Sequence, residues 1–182
     1  MCHIARARPP SSTRCPTASA SAEQTRRSSL EGAVKVRLHL GSDHGGISLR
    51  RSIVAAAVER GDTIASDEGP SDPADSVDYP DVAIAVCGRV LADHGSVGIL
   101  VCGTGQGMAM VANKIAGIRA AVVVDPFSAR MAREHNDANV LCLGERVLGA
   151  ELAKLLVDEF LRARYAGGRH ARRVAKIDRA GG

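Results

Sequence analysis

Hydrophobic residues along the chain form short runs that alternate with longer amphipathic stretches, beginning after residue 33. The short runs are rich in Val, Ile and Leu, which is typical of buried strands in a parallel sheet. The predicted strands are residues 36–40, 63–65, 97–101, 118–124 and 140–143. The longer stretches carry apolar residues three and four apart or have helix-forming composition, which predicts helices. The predicted helices are residues 47–60, 79–91, 108–114, 126–133 and 149–164.

Strands that alternate with helices, without an internal repeat, predict a doubly wound α/β fold. We expect a Rossmann-like three-layer sandwich with a five-stranded parallel sheet. In such sheets ligands bind beyond the carboxyl ends of the strands. We expect the polar candidates to share that edge, because they follow predicted strands or lie in loops able to face it. These candidates are Asp43 and His44, Cys102 and Thr104, and His135 and Asn136.

Residues 1–33 differ in composition from the rest of the chain. They are rich in Ser, Arg, Pro and Ala and have no apolar periodicity, which predicts disorder. An Arg- and Ser-rich leader that is poor in acids also suits an organellar transit peptide. We favour an over-extended start or a dispensable tail. The folded domain is therefore assigned to residues 34–182.

Charge and aromatic content argue against several partner classes. The net charge is +4, but residues 1–35 hold six basic and two acidic residues, so the remainder has 18 of each and is neutral. The high pI is therefore weak support for a nucleic-acid partner. Two Phe, two Tyr and no Trp leave few rings to stack on bases. No apolar run approaches the length of a membrane span, so we expect no membrane partner.

The five cysteines are Cys2, Cys15, Cys87, Cys102 and Cys142. Their number is odd and none form a C-x-x-C pair. This pattern predicts a reducing, cytoplasmic environment without a disulfide framework or a structural zinc site.

The stretch around Cys102 has the composition of a strand, a glycine turn and a helix start. The turn is Gly103-Thr-Gly-Gln-Gly107. Such a turn points backbone N–H groups and the positive end of a helix dipole at one spot. A thiol beside a helix N-terminus is the kind whose thiolate is stabilised, whereas a cysteine that ends a buried strand is more often a small core hydrophobe.

A thiolate, an Asp–His pair and a group of glycine amides together suit proton abstraction next to a carbonyl. The base removes a C–H proton and the amides hold the developing enediolate oxygen. Arg169 and Arg173 are four residues apart and would share a helical face suited to a phosphate. The alternatives are a solvated basic face for these arginines, a structural role for His135, and a simple turn for Asp43-His44.

Seven short motifs in order resemble the ribose-5-phosphate isomerase B family, which also includes the galactose-6-phosphate isomerase subunits. The motifs are Gly41-Ser-Asp-His-Gly-Gly46, Asp78-Tyr-Pro80, Cys102-Gly-Thr-Gly-Gln-Gly107, Ala112-Asn-Lys114, Gly117-Ile-Arg119, His135-Asn-Asp-Ala-Asn139 and Gly167-Gly-Arg-His170. The resemblance covers residues 36–178. It implies an aldose–ketose isomerase of the pentose phosphate pathway that interconverts ribose 5-phosphate and ribulose 5-phosphate through a cis-enediol. It also implies no metal, no organic cofactor, and a homodimer or a dimer of dimers.

The same resemblance implies a role for each candidate residue. Cys102 would be the base, because this chain has the cysteine of one branch of the family and not the glutamate of another. The other implied roles are enediolate binding by Thr104 and the amides of Gly103, Gly105 and Gly107; ring opening by His135 with Asp43; hydroxyl binding by Asn136; substrate lining by Tyr79; and phosphate binding by His44, Arg146, Arg169 and Arg173, some of them across a homodimer interface.

Three alternatives stay open at this point. The same mechanism could act on another sugar phosphate, such as erythrulose 4-phosphate or galactose 6-phosphate. The chain could be a nucleotide-binding module, although the turn lacks the Lys-Ser/Thr of a P-loop and the G-x-G-x-x-G fingerprint. A catalytically inactive structural relative is disfavoured, because every proposed acid/base position is filled.

Overall fold

The structure, a computed structural model, describes residues 35–180 and is organised around a five-stranded sheet. The leader predicted for residues 1–33 lies outside the described residues. The strand order is β2-β1-β3-β5-β4, and every pair of neighbours is parallel. The strands are β1 (Arg37–Ser42), β2 (Thr63–Glu68), β3 (Val97–Cys102), β4 (Ala120–Val122) and β5 (Val140–Gly144).

Helices cover both faces of this sheet, which confirms the predicted doubly wound α/β sandwich. Within residues 35–180 they are α1 (Ile47–Arg60), α2 (Tyr79–Ala92), α3 (Gln106–Ala112), α4 (Pro126–Asn136), α5 (Ala150–Arg162) and α6 (Arg169–Ala180). Helices α1, α4 and α5 bury one face of the sheet, and α2 and α3 bury the other. None of the helices in this part of the chain is long and apolar enough to cross a membrane.

Local signals in the sequence place several helix ends correctly. The Asp125 carboxylate accepts a hydrogen bond from the Ser128 N–H at 2.8 Å, so Asp125 is the N-cap of α4 and Pro126 occupies its first turn. Helix α1 ends at Gly61, whose φ of +87° is the left-handed conformation that glycine adopts without strain. Helix α2 begins at Tyr79, as predicted.

Two strands differ in length from the prediction by more than one residue. Strand β2 extends to Glu68 because the buried Arg50 side chain holds its end, donating hydrogen bonds to the carbonyls of Glu68 and Pro70. Strand β4 is an edge strand with β5 as its neighbour, and it ends at Val122 because the chain turns toward the Asp125 cap.

The three central strands form the core and carry the loops that matter for function. All six residues of β3 are buried, and its side chains alternate between two apolar clusters that lie on opposite faces of the sheet. Ser42 of β1 pairs with Val101 of β3, and Cys102 of β3 pairs with Gly144 of β5. The loops that follow β1, β3 and β5 therefore meet at one carboxyl edge.

Candidate functional site

Cys102 is the last residue of β3, at the centre of the carboxyl edge. Its side chain is buried, with 6% of the residue exposed, and its Sγ accepts a hydrogen bond from the Gly105 N–H at 3.1 Å. Gly105 has a φ of +79°, in the left-handed region, and is the N-cap from which helix α3 begins. A side chain there would be strained and would meet the Leu143 backbone at 3.1–3.2 Å, so the turn requires glycine.

The glycine loop after Cys102 is held against the end of β5. The Cys102 carbonyl accepts a hydrogen bond from the Glu145 N–H at 2.9 Å, and the Gly103 carbonyl accepts one from the Arg146 N–H at 3.0 Å. A Cβ atom at Gly144 would lie 2.7 Å from the Thr104 backbone, so the two segments touch. This contact fixes the direction in which the amides of the loop and of the first turn of α3 point.

Asp43 and His44 follow β1 and lie beside this loop. The buried Asp43 carboxylate accepts a hydrogen bond from the Gly45 N–H at 2.9 Å and caps a single 3-10 turn, His44–Gly46. A Cβ atom at Gly46 would lie 2.5 Å from the Val101 carbonyl, so only glycine lets this turn press against β3. A simple turn was the alternative predicted for Asp43-His44. That turn is present, and it places Asp43 next to the glycine loop.

Arg146 and Tyr79 lie against the two ends of the loop. A Cβ atom at Gly103 would lie 3.5 Å from atoms of the Arg146 guanidinium group, and one at Gly107 would lie 2.7 Å from the Tyr79 ring. A positive charge and a phenol therefore border the amides of Gly103–Gly107. We call Asp43, His44, Tyr79, Cys102, Thr104 and Arg146 the carboxyl-edge cluster.

His135 and Asn136 lie at the opposite edge, so the prediction that they share an edge with Cys102 in one chain is wrong. Helix α4 runs back along the sheet and ends at Asn136. Asn139, just beyond it, accepts a hydrogen bond from the N–H of Gly98, the second residue of β3. Cys102 is four residues further along that strand, which at about 3.3 Å per residue separates the two ends by about 13 Å.

Arg169 and Arg173 accompany His135 at that amino edge. They lie on α6, which packs against α4. The helix confirms that these two arginines, four apart, share one face. The ring of the intervening His170 stacks on the His135 ring, with the centroids 4.2 Å apart and the planes 7° from parallel. We call His135, Asn136, Arg169 and Arg173 the amino-edge cluster.

Two functional features escaped the sequence reasoning. Arg50 is buried and donates a hydrogen bond to the Ser42 hydroxyl at 3.0 Å, so it braces the end of β1 beside the site. The sequence did hold a signal for Arg50, because it is a charged residue among the apolar positions of α1. The stack of His170 on His135 had no sequence signal, because it joins residues that are far apart in the chain.

The other thiols of the described region differ from Cys102. Cys87 and Cys142 are buried in the apolar cluster under α2 and α3. Burial raises the pKa of Cys87 to about 12 and also raises the pKa of Cys142. Within residues 35–180, no three His, Cys, Asp or Glu side chains are grouped as a metal ion would need.

Comparison with known proteins places the chain in a family. The family model described as Ribose/Galactose Isomerase matches residues 38–177. Ribose-5-phosphate isomerase B of Escherichia coli is 48% identical over 141 residues, which are 78% of this chain and 93% of that protein. D-erythrulose-4-phosphate isomerase of Pectobacterium atrosepticum is 41% identical over 138 residues, 76% of this chain and 90% of that protein.

A solved structure shows the same architecture. Ribose-5-phosphate isomerase B from Clostridium thermocellum superposes with a TM-score of 0.76 at 48% sequence identity, over 80% of this chain and 97% of that one. The seven motifs that carry the resemblance therefore lie within the region matched by the family model, residues 38–177. The chain belongs to the ribose/galactose isomerase family and is a sugar-phosphate isomerase.

Proposed function

We propose that the chain interconverts ribose 5-phosphate and ribulose 5-phosphate through a cis-enediol, with Cys102 as the base. The observation that carries the proposal is the position of the Cys102 sulfur, at the carboxyl end of the central strand and 3.1 Å from the Gly105 N–H. A main-chain donor beside the sulfur stabilises negative charge on it. The relative from Escherichia coli, named for the same pentose phosphate, supports the choice of substrate.

The proposed chemical step moves one proton between neighbouring carbons. The Cys102 thiolate takes the C2 proton of the open-chain aldose, and the C2–H electron pair forms the C1–C2 double bond of the enediolate. The C1 carbonyl electron pair moves onto O1, and the hydroxyl proton passes from O2 to O1. The same thiol then returns its proton to C1 as the carbonyl forms at C2. The N–H groups of the Gly103–Gly107 loop, with the Thr104 hydroxyl, hold the oxyanion while its charge develops. Arg146 adds a positive charge beside that loop.

The remaining roles combine groups from both edges of the sheet. Ring opening needs a group that protonates the ring oxygen while a base takes the C1 hydroxyl proton, roles that we assign to His135 and Asp43. Asn136 would bind sugar hydroxyls, and Arg169 and Arg173, with His44 and Arg146, would bind the phosphate. About 13 Å of strand separates the two edges, so one small sugar cannot reach both clusters of one chain.

A homodimer resolves this separation. In a two-fold symmetric dimer the same surface of each copy meets the other, so the carboxyl-edge cluster of one copy can face the amino-edge cluster of its partner. Each dimer would then contain two complete sites. The two clusters also need each other chemically, because the first supplies the base and the second supplies the ring-opening histidine and two of the phosphate-binding arginines.

The experiment is an isomerase assay on ribose 5-phosphate, with a chelator present, that compares the wild type with Cys102→Ala. We expect turnover to fall by about a hundredfold or more, since the variant loses the general base, while substrate binding stays measurable. The matched control is Cys87→Ala, which removes a buried thiol outside the loop and should keep its turnover. Full turnover in Cys102→Ala would refute the assignment.

A second substrate is favoured by one comparison. The relative from Pectobacterium atrosepticum is named for D-erythrulose 4-phosphate, and the family description includes galactose. The same proton transfer would serve each of these sugars, because it involves the carbonyl end alone. Measuring kcat/KM in parallel for ribose 5-phosphate, erythrulose 4-phosphate and galactose 6-phosphate decides between them. A higher value for either of the last two would replace the pentose assignment.

A further inference from the structure

We propose that His170 is a positioning residue for His135, whose ring plane it fixes by face-to-face stacking. The inference rests on the proposed function, in which His135 exchanges a proton with the sugar during ring opening. The rings are 4.2 Å apart between centroids and 7° from parallel. This separation is shorter than that of most aromatic pairs, and the near-parallel planes mark a full stack.

The two helices that carry these rings are tied together independently of the stack. Ahead of α6, the Ala166 N–H donates a hydrogen bond to the Glu134 carbonyl at 2.9 Å. Toward its end, α6 is anchored by an ion pair between Asp178 and Arg119, 3.1 Å apart. The surrounding fold therefore holds the stack in place, and the fixed His170 ring contacts one face of the His135 ring.

His170 is suited to this role because it stays neutral. It is buried, and its Nε2 accepts a hydrogen bond from the Arg169 Nε at 3.3 Å, which leaves its proton on Nδ1. Burial, together with the charges of His135, Arg169 and Arg173, lowers the pKa of His170. The other charged groups in the last turn of α4 are paired: Arg133 with Asp137 at 3.2 Å and Glu134 with Arg130 at 3.9 Å.

The stack also leaves the edge of the His135 ring free. Because the contact is face to face, it uses neither ring nitrogen of His135. Those nitrogens stay available to a ligand, while the ring is prevented from turning away from it.

The test separates ring opening from proton transfer in the wild type, His170→Leu and His170→Phe. Turnover of ribose 5-phosphate includes ring opening. Deuterium exchange at C1 of ribulose 5-phosphate in D2O does not, because that ketose has no ring form when its C5 oxygen carries the phosphate. In the same samples, NMR of the His135 ring protons reports the stack through the upfield shift that a parallel ring causes. Arg172→Ala, an exposed change on the same turn of α6, is the control.

We expect His170→Leu to slow aldose turnover by about tenfold or more while ketose exchange stays within about twofold, since a misplaced acid affects only the step that uses it. His170→Phe keeps a flat ring and should retain aldose turnover within about threefold. The upfield shift of His135 should disappear in His170→Leu alone.

Three outcomes would overturn the proposal. These are an equal loss of both reactions in His170→Leu, a loss in His170→Phe as large as that in His170→Leu, or His135 ring shifts that do not change on removal of the His170 ring. A wild type that turns over no pentose phosphate would instead refute the proposed function, and the NMR comparison would still decide whether the stack exists.

Discussion

Mixing two inactive variants tests whether the site is shared between copies of the chain. The variants are Cys102→Ala, which damages the carboxyl-edge cluster, and His135→Ala, which damages the amino-edge cluster. Each alone places one defect in every site of its homodimer. In a mixed dimer, however, one site receives Cys102 and His135 from the two undamaged positions, while the other site receives both substitutions.

The expected recovery follows from counting these sites. Random exchange of equal amounts makes about half of the dimers mixed, and one of the two sites in each is intact, so activity should return to about one quarter of the wild-type value. The premise is the strand length that keeps the two clusters of one chain about 13 Å apart.

The assay mixes the variants, promotes subunit exchange with mild denaturant, and follows turnover of ribose 5-phosphate. The controls are each variant carried through the same treatment alone, and a mixture with wild type that proves exchange. A mixture that stays as inactive as its components, under conditions in which exchange is demonstrated, would refute the shared site. It would also mean that the two clusters reach one sugar within a single chain.

Three further predictions concern phosphate binding, thiol reactivity and packing. Arg173→Ala should raise the KM for the phosphorylated sugar by about tenfold or more, because a charged hydrogen bond to the phosphate is lost. The KM for the free sugar should not change. Equal effects on both sugars in steady-state kinetics would contradict the phosphate role. At pH 8, iodoacetamide should modify Cys102 before Cys87, because burial raises the pKa of Cys87 to about 12. Peptide mass mapping measures the order of modification, and the reverse order would count against the site. Phe160→Ala should lower the free energy of unfolding by about 3–5 kcal/mol, since Phe160 is fully buried. Leu152 on the same helix is 37% exposed, so Leu152→Ala should cost about 1 kcal/mol. Urea denaturation measures both, and equal losses would disprove this view of the core.

Local features of the site were predictable because their causes are local. The run 97–101 predicts β3 from its apolar, β-branched residues, and glycines 103, 105 and 107 predict the turn that brings an N–H to Cys102. Asp125 and Pro126 predict the start of α4 in the same way. Each of these signals lies within a few residues of the structure that it determines. The lengths of β2 and β4 were less predictable, because Arg50 and the position at the sheet edge decide them.

By itself, then, the amino-acid sequence determined the kinds of elements, the glycine loop and the candidate side chains, since periodicity, capping and backbone freedom act over one or two turns. The tertiary structure decided which side chains meet. A helix that returns along a parallel sheet carries its last turn to the amino edge, so His135 lies away from Cys102 and beside His170. That placement depends on strand order and helix direction, which arise when distant segments pack together.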